Sequence, residues 1–179
     1  MSSTSKQFDS VIKKSREIFE KKLHDYGSSW RIMRPRSVTD QIFIKAQRIR
    51  SIEEKGKQKV DEGIIPEYIG ILNYAIIGLI QLNLGNTDNC TLQKKEIMNM
   101  YDKYAAEAKS LMENKNHDYG EAWRDMRISS FTDIILMRIM RIKQIEDLQG
   151  ETFISEGIDA NYYDMINYAI FALIRMEEK

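Results

Sequence analysis

The stretch HDYGSSWRIMR, residues 24–34, returns as HDYGEAWRDMR at residues 117–127. At the same separation of 93 residues, Thr39-Asp40 is followed by Thr132-Asp133. The separation becomes 94 in the last third of the repeat, where NYAI occurs at residues 73–76 and again at 167–170. Because the matches keep their order, the sequence predicts a tandem duplication with copy one at residues 1–86 and copy two at 87–179.

Each copy has the apolar spacing of three helices. The first is predicted over Phe8–Leu23 and Thr91–Lys115, ending at the HDYG turn, where Gly27 and Gly120 can adopt positive φ. The second follows Ser37 or Ser130, and the third begins near Pro66 or Asp159. We therefore expect an all-α protein, a three-helix unit duplicated in tandem and packed as one compact, pseudo-two-fold helical bundle.

The composition narrows the function classes. The 179-residue chain has 27 Lys plus Arg and 27 Asp plus Glu, so it has no global field for nucleic acid or an anionic membrane. The single cysteine, Cys90, excludes an internal disulfide framework and a thiolate metal cluster. The first residues have no apolar signal-peptide core, and the longest apolar runs are shorter than a membrane span. We expect a cytoplasmic protein without nucleic-acid or membrane partners.

The two copies share polar residues as well as apolar ones, and these residues suit an anion pocket. An arginine guanidinium can bind two phosphate oxygens at once, and Trp and Tyr rings can stack on planar bases. The candidate ligand-binding residues in copy two are His117, Tyr119, Trp123, Arg124, Arg127, Arg138, Arg141 and Asn167. The candidates in copy one are His24, Tyr26, Trp30, Arg31, Arg34, Lys45 and Arg48.

Carboxylates recur near these residues and suit Mg²⁺, which takes a few carboxylates together with phosphates and water. The sequence predicts catalytic roles for Asp118, Asp133 and Glu146, and metal ligation by Asp164 and Glu156. Asp164 lies on one helical face with Asn161 and Asn167, whereas copy one has Glu67, Gly70 and Asn73 on that face. Copy two is therefore expected to carry the more competent acid cluster.

Other interpretations account for parts of this pattern. The shared polar residues can be purely structural, with arginines and acids joining the two copies. The HD doublet also occurs in metal phosphohydrolases, but those need more histidines than His24 and His117. A di-iron bundle needs Glu-x-x-His pairs, whereas Glu20 and His24 are four residues apart. No phosphate-binding glycine loop, nucleophile elbow or zinc spacing is present.

Both copies, HDYGSSWRIMR…TD…NYAI and HDYGEAWRDMR…TD…NYAI, resemble the family called nucleotide modification associated domain 1. Copy two matches it better, with Lys115-Asn116 before the turn, whereas copy one departs at Leu23 and Gly70. The resemblance implies a link to nucleotide or modified-base metabolism. The helical organisation of this family is similar in outline to that of the all-α nucleoside triphosphate pyrophosphohydrolases. The set of acidic metal ligands found in those enzymes is not reproduced in this sequence.

The sequence thus predicts binding of a nucleotide or nucleotide-like phosphorylated small molecule by a monomeric pseudo-dimer or a homodimer. The residues also allow Mg²⁺-dependent hydrolysis, in which a metal-activated water attacks a phosphoryl group and arginines stabilise the developing charge. Whether the chain is an enzyme is left open by the residues alone. The alternative is a non-catalytic structural or ligand-sensing module whose repeated polar network is a self-association seam.

Overall fold

The computed structural model describes residues 3–56, 63–149, 151 and 157–178. Three helices lie in each copy, and no strand occurs in these ranges. Their bounds are α1 Ser3–Tyr26, α2 Pro35–Lys55, α3 Ile65–Leu84, α4 Lys94–Tyr119, α5 Ile128–Asp147 and α6 Ile158–Glu177. The all-α prediction and the duplicated three-helix order are confirmed.

The ends of the first helix in each copy differ from the predicted ones. In copy two the helix begins at Lys94 rather than Thr91, because Gln93 forms a capping box in which the Glu96 side chain accepts a hydrogen bond from the Gln93 amide at 2.7 Å. Both first helices continue through the HDY residues and end at Gly27 and Gly120, whose φ angles are 64° and 65°. The positive φ predicted for these two glycines is therefore confirmed.

Reciprocal contacts relate the two copies as the subunits of a symmetric dimer are related. The Thr39 hydroxyl lies 2.6 Å from the Tyr162 hydroxyl, and the equivalent Thr132 and Tyr68 hydroxyls are 2.5 Å apart. Within each copy an equivalent hydrogen bond also recurs: the Asn73 amide donates to the Ser15 carbonyl in copy one and the Asn167 amide to the Ala108 carbonyl in copy two, both at 3.1 Å. Because each contact occurs twice with the copies exchanged, the fold has the predicted pseudo-two-fold relation.

The core is centred on α3 and α6, which pack against each other and against α2 and α5. Most side chains in the middle of α3 and α6 are fully buried. By length and composition alone, α3 is the one described helix apolar enough to cross a membrane. Within the bundle the apolar residues in the middle of α3 are covered by the neighbouring helices, as in a central core helix, whereas Ile65, Leu82 and Leu84 near its ends are exposed.

A short 3₁₀ turn follows the first helix in each copy, at Ser29–Ile32 and Ala122–Asp125. Each turn is anchored to the last helix of its own copy. In copy one the Gln81 amide donates to the Met33 carbonyl at 2.5 Å, and in copy two Arg175 donates to the equivalent Met126 carbonyl at 2.5 Å. These anchors place Trp30 and Trp123 beside the third helix of their copies.

Candidate functional site

A cavity of about 550 Å³ lies in copy one, between the end of α1, the 3₁₀ turn, α2 and α3. Its volume is in the range that protein pockets offer to small ligands. The wall is mainly apolar and aromatic, with two lysines. The lining includes Phe19, Lys22, Tyr26, Trp30, Lys45, Gly70, Tyr74 and Ile77.

Aromatic rings form one part of the wall. The Trp30 ring is half-buried, and its centroid is 6.3 Å from that of Phe19, which is itself held by Tyr101 at 4.8 Å. Tyr26 is 73% exposed and also borders the cavity. A planar ligand entering the cavity would meet ring faces and edges whose positions are fixed by packing.

The cationic part of the wall comes from α1 and α2. The Lys45 side chain lies across Gly70, with its Nζ 5.7 Å from the Tyr74 ring centroid and 3.7 Å from Glu67. Arg48 binds the same Glu67 carboxylate more closely, at 2.9 Å. Lys22 contributes a second ammonium group from α1. The cavity lining therefore includes two lysines, of which Lys45 is only loosely paired.

The corresponding region of copy two carries an acid that copy one lacks. Asp164 occupies the repeat position of Gly70, and its side chain is only 15% exposed. Its carboxylate lies 2.7 Å from Lys115 and 3.1 Å from Arg138, which are the counterparts of Lys22 and Lys45. The sequence predicts the more competent acid cluster in copy two because copy two has this acid, but in the structure the acid is already paired with two cations.

The aromatic wall is also packed differently in copy two. Trp123 is buried and stacks on Phe171, with ring centroids 4.3 Å apart and an interplanar angle of 6°. The Arg124 guanidinium lies 4.4 Å from the Trp123 ring centroid, on a ring already held in this stack. Copy one has Ile77 at the position of Phe171, and the smaller side chain leaves Trp30 beside open space.

The structure separates the remaining candidates of copy two. Arg124 binds Glu121 at 2.7 Å and Glu178 at 2.6 Å, so it joins the 3₁₀ turn to the end of α6. The buried Asn167 amide is bound to a main-chain carbonyl. Arg141 is half-buried on α5. The candidates that lie exposed around the turn are His117, Asp118, Tyr119 and Arg127.

In copy one, Tyr26, Trp30 and Lys45 are brought together at the cavity. Arg31 is buried instead, where it donates hydrogen bonds to the Gln81 side chain and to the Gly85 carbonyl at 2.7 Å. Its contacts are those of a structural residue that fixes the 3₁₀ turn. The remaining candidates, His24 and Arg34, are exposed outside the cavity lining.

Two of the acids predicted to be catalytic lie where α2 and α5 meet. Asp133 is exposed and 4.0 Å from Arg50, while Glu146 is half-buried. Burial raises the pKa of the Glu146 carboxyl, Arg36 opposes this rise, and the Asp40 carboxylate adds to it. The counterpart Glu53 has a raised pKa for the same main reason, burial, moderated by a 2.8 Å hydrogen bond from Thr132.

The positions of these acids decide whether they could act as magnesium ligands. Asp164 is paired with two cations, and Glu156 lies outside the described residues. Within the described ranges, no three His, Cys, Asp or Glu side chains are grouped so that they could hold a metal ion. Since Mg²⁺ is often held by one or two carboxylates together with phosphates and water, Mg²⁺ stays a prediction of the sequence.

Several cavity residues were missed by sequence reasoning. Phe19, Lys22 and Tyr74 lie outside the repeated HDYG and TD strings, and Gly70 stood out only as a departure from copy two. The available signal was the difference between the copies: Gly70 against Asp164, and Ile77 against Phe171. Both differences remove atoms from copy one, beside the cavity described above.

The comparisons with known proteins agree with the duplication. The family model described as nucleotide modification associated domain 1 matches residues 22–82 and, a second time, residues 115–176. No curated protein and no solved structure matches the chain. Since the two matched segments cover more than half of the sequence and coincide with the repeats, the chain belongs to the nucleotide modification associated domain 1 family, with two tandem copies.

Proposed function

We propose that copy one binds a nucleotide or a nucleotide-like phosphorylated small molecule. The observation that carries this proposal is the 550 Å³ cavity, which combines an aromatic wall with two lysines. A planar base fits the first feature, because ring faces stack on any base. A phosphate fits the second, because lysine binds it as a point charge. The family description agrees with this ligand class.

The polar groups around the cavity support binding more than recognition of one particular base. Asn73 lines the cavity, but its amide donates to the Ser15 carbonyl and its Oδ1 accepts a hydrogen bond from Tyr101 at 2.8 Å. Both ends of this side chain are therefore occupied within the protein. We expect the base to be held mainly by stacking and by its fit to the apolar wall.

The alternative of a structural module is favoured for a different set of repeated residues. The Thr39–Tyr162 and Thr132–Tyr68 contacts are buried between the copies and join them directly. These residues form a seam within one chain, and they do not line the cavity. We therefore assign these four repeated residues to an internal seam, and the repeated residues Tyr26, Trp30 and Lys45 to the proposed ligand site. Hydrolysis, Mg²⁺ and a cytoplasmic location stay predictions.

The proposal is tested by equilibrium titration of the protein with nucleoside mono-, di- and triphosphates, followed by calorimetry. Replacing Lys45 by Met should weaken binding by about 10–100-fold, the range expected when a hydrogen bond to a charged group is lost. The matched control is Lys103→Met. Lys103 also lies over a tyrosine, 5.4 Å from the Tyr104 ring centroid, but outside the cavity lining.

The control variant should bind like the wild type. If no nucleotide binds at millimolar concentration, the proposed function is wrong. Equal affinity losses in both lysine variants would likewise contradict it, since the effect would then reflect the net charge of the protein and not the cavity.

A further inference from the structure

We infer that the anionic group of the ligand takes, in copy one, the place that the Asp164 carboxylate takes in copy two, and that this group is a single phosphate. The inference rests on the proposed function, because it names the ligand class of the same cavity. It assigns to the site a nucleoside monophosphate, a planar base carrying one phosphate ester.

Equivalent positions in the two copies carry the same cations but not the same acid. In copy two the Asp164 carboxylate bridges Lys115 at 2.7 Å and Arg138 at 3.1 Å. Copy one retains both cations, as Lys22 and Lys45, but has Gly70 in place of the acid. The acid of copy one is Glu67, which lies against Lys45 and Arg48, whereas copy two has Asn161 at that position. Copy one therefore lacks a carboxylate at the position that joins Lys115 and Arg138 in copy two. An anion supplied by a ligand can occupy this position beside Lys22 and Lys45.

Gly70 also determines where the Lys45 side chain can lie. A Cβ atom at this position would lie 2.6 Å from Lys45 Cδ, 2.7 Å from its Cε and 3.0 Å from its Nζ. The glycine thus lets the lysine cross the α3 backbone and present its ammonium group to the cavity. The nearby Glu67 carboxylate is 3.7 Å from this ammonium group and is bound more closely by Arg48. The Lys45 ammonium is consequently available for a closer anion.

The charge balance of the cavity sets the charge of the ligand. The lysines Lys22 and Lys45 and the nearby Arg48 give three positive charges, and Glu67 gives one negative charge, leaving a net charge of +2. A phosphate monoester carries about −1.5 to −2 near neutral pH. A triphosphate carries additional charges that these residues would leave unneutralised in a partly enclosed site, where repulsion is poorly screened. The match is therefore to one phosphate.

The experiment measures the affinity of the whole protein for a nucleoside, its 5′-monophosphate and its 5′-triphosphate at fixed ionic strength and without divalent metal. For the wild type we expect the monophosphate to bind at least about tenfold better than the nucleoside, as charge-assisted contacts imply. The triphosphate should bind more weakly than the monophosphate. Tighter triphosphate binding would overturn the inference and leave the proposed function standing.

The decisive variant is Gly70→Asp, which gives copy one its own carboxylate as in copy two. Lys45 must move to accommodate the new side chain, and it can, because the contact is with its flexible end. The advantage of the monophosphate over the nucleoside should fall to about onefold. The matched control, Gly70→Asn, adds nearly the same volume without charge and should retain most of that advantage. Loss of the advantage to the same degree in both would overturn the inference.

A second variant tests the same inference if the Gly70→Asp protein does not fold. Lys22→Met removes the other cation from the exposed end of α1 and should reduce the monophosphate advantage without changing nucleoside affinity. An unchanged ratio in Lys22→Met would overturn the inference. Absence of binding by all three ligands in the wild type would instead refute the proposed function itself.

Discussion

The two ends of the bundle share the same repeat but differ in what occupies their interior. In copy two Trp123 stacks on Phe171, and Asp164 is held by Lys115 and Arg138. In copy one the equivalent Trp30 borders a cavity of about 550 Å³. The residues that the copies share build the frame, and the differences at Gly70/Asp164 and Ile77/Phe171 lie where copy one has its cavity.

The equivalent tryptophans have different roles in the two copies. Trp123 is 5% exposed and belongs to the core, whereas Trp30 is half-buried and forms part of a wall. A side chain enclosed by protein contributes mainly to the stability of the fold. A side chain beside a cavity retains free surface, which becomes useful when a ligand covers it.

The largest expected effect follows from exchanging each tryptophan for alanine. Trp123→Ala should lower the free energy of unfolding by about 3–5 kcal/mol, because it removes a buried, stacked ring and leaves a cavity. Trp30→Ala should lower it by less than about half of that, and it should weaken nucleotide binding. Urea unfolding monitored by circular dichroism and ligand titration measure the two quantities.

Losses of stability that are equal within error would show that the two ends are packed alike, and the comparison would fail. Nucleotide affinity supplies the second check on the same variants, provided that Trp123→Ala is assayed where it is still folded. It should bind normally under those conditions. Impaired binding by folded Trp123→Ala would place the ligand in copy two.

A medium effect is expected where the copies are alike. Burial raises the pKa of the Tyr162 hydroxyl to about 12 and also raises that of Tyr68, so both remain protonated donors at neutral pH. Tyr68→Phe and Tyr162→Phe each leave a buried threonine hydroxyl with one partner fewer. Each substitution should lower the free energy of unfolding, measured in urea, by about 1–1.5 kcal/mol. The two losses should be similar.

The similarity of these two losses is itself the test of the pseudo-two-fold seam. Combining the variants should add their effects, because the two contacts involve separate residues. A loss confined to one tyrosine would mean that only one of the two hydrogen bonds stabilises the fold.

The fold was accessible from the sequence because its determinants are periodic and repeated. The apolar spacing located six helices, and the HDYG strings located both glycine turns. The capping of α4 was missed because Gln93 is an uncommon N-cap residue and Thr91 a common one. Each of these features depends on the preferences of residues close together in the sequence, and most of them were therefore predicted correctly.

The cavity could not be predicted from the sequence in this way, because its existence depends on how side chains from several helices pack together. Recurrence of Trp, Arg and Asp suggested that shared residues bind the ligand, yet Arg31 is buried and binds Gln81 to hold the turn. Whether space is left beside Trp30 depends on Ile77 and Gly70, which are not chemically distinctive residues. Only the arrangement of all these side chains shows that copy one is open.

The smallest expected effect concerns the two glutamates where α2 meets α5, since both copies contribute one but in unequal surroundings. The Glu53 carboxylate accepts a hydrogen bond from Thr132 at 2.8 Å. One buried oxygen of Glu146 has no hydrogen-bond partner within the described part of the chain. Replacing Glu146 by Gln should therefore stabilise the protein near neutral pH, and Glu53→Gln should do so less.

The direction with pH follows from the raised pKa of each folded-state carboxyl. The protonated acid favours the folded protein below the unfolded-state pKa, and this contribution is lost as the pH rises through the folded-state pKa. Glutamine stays neutral, so Glu146→Gln should raise the Tm by only about 1–2 °C near pH 7, because the group is partly exposed. The gain should vanish near pH 4, where Glu146 itself is protonated. Thermal unfolding of both variants at pH 7 and at pH 4 measures these changes in Tm. A gain that does not depend on pH, or a larger gain for Glu53→Gln, would show that the Glu146 oxygen without a hydrogen-bond partner does not destabilise the contact between α2 and α5.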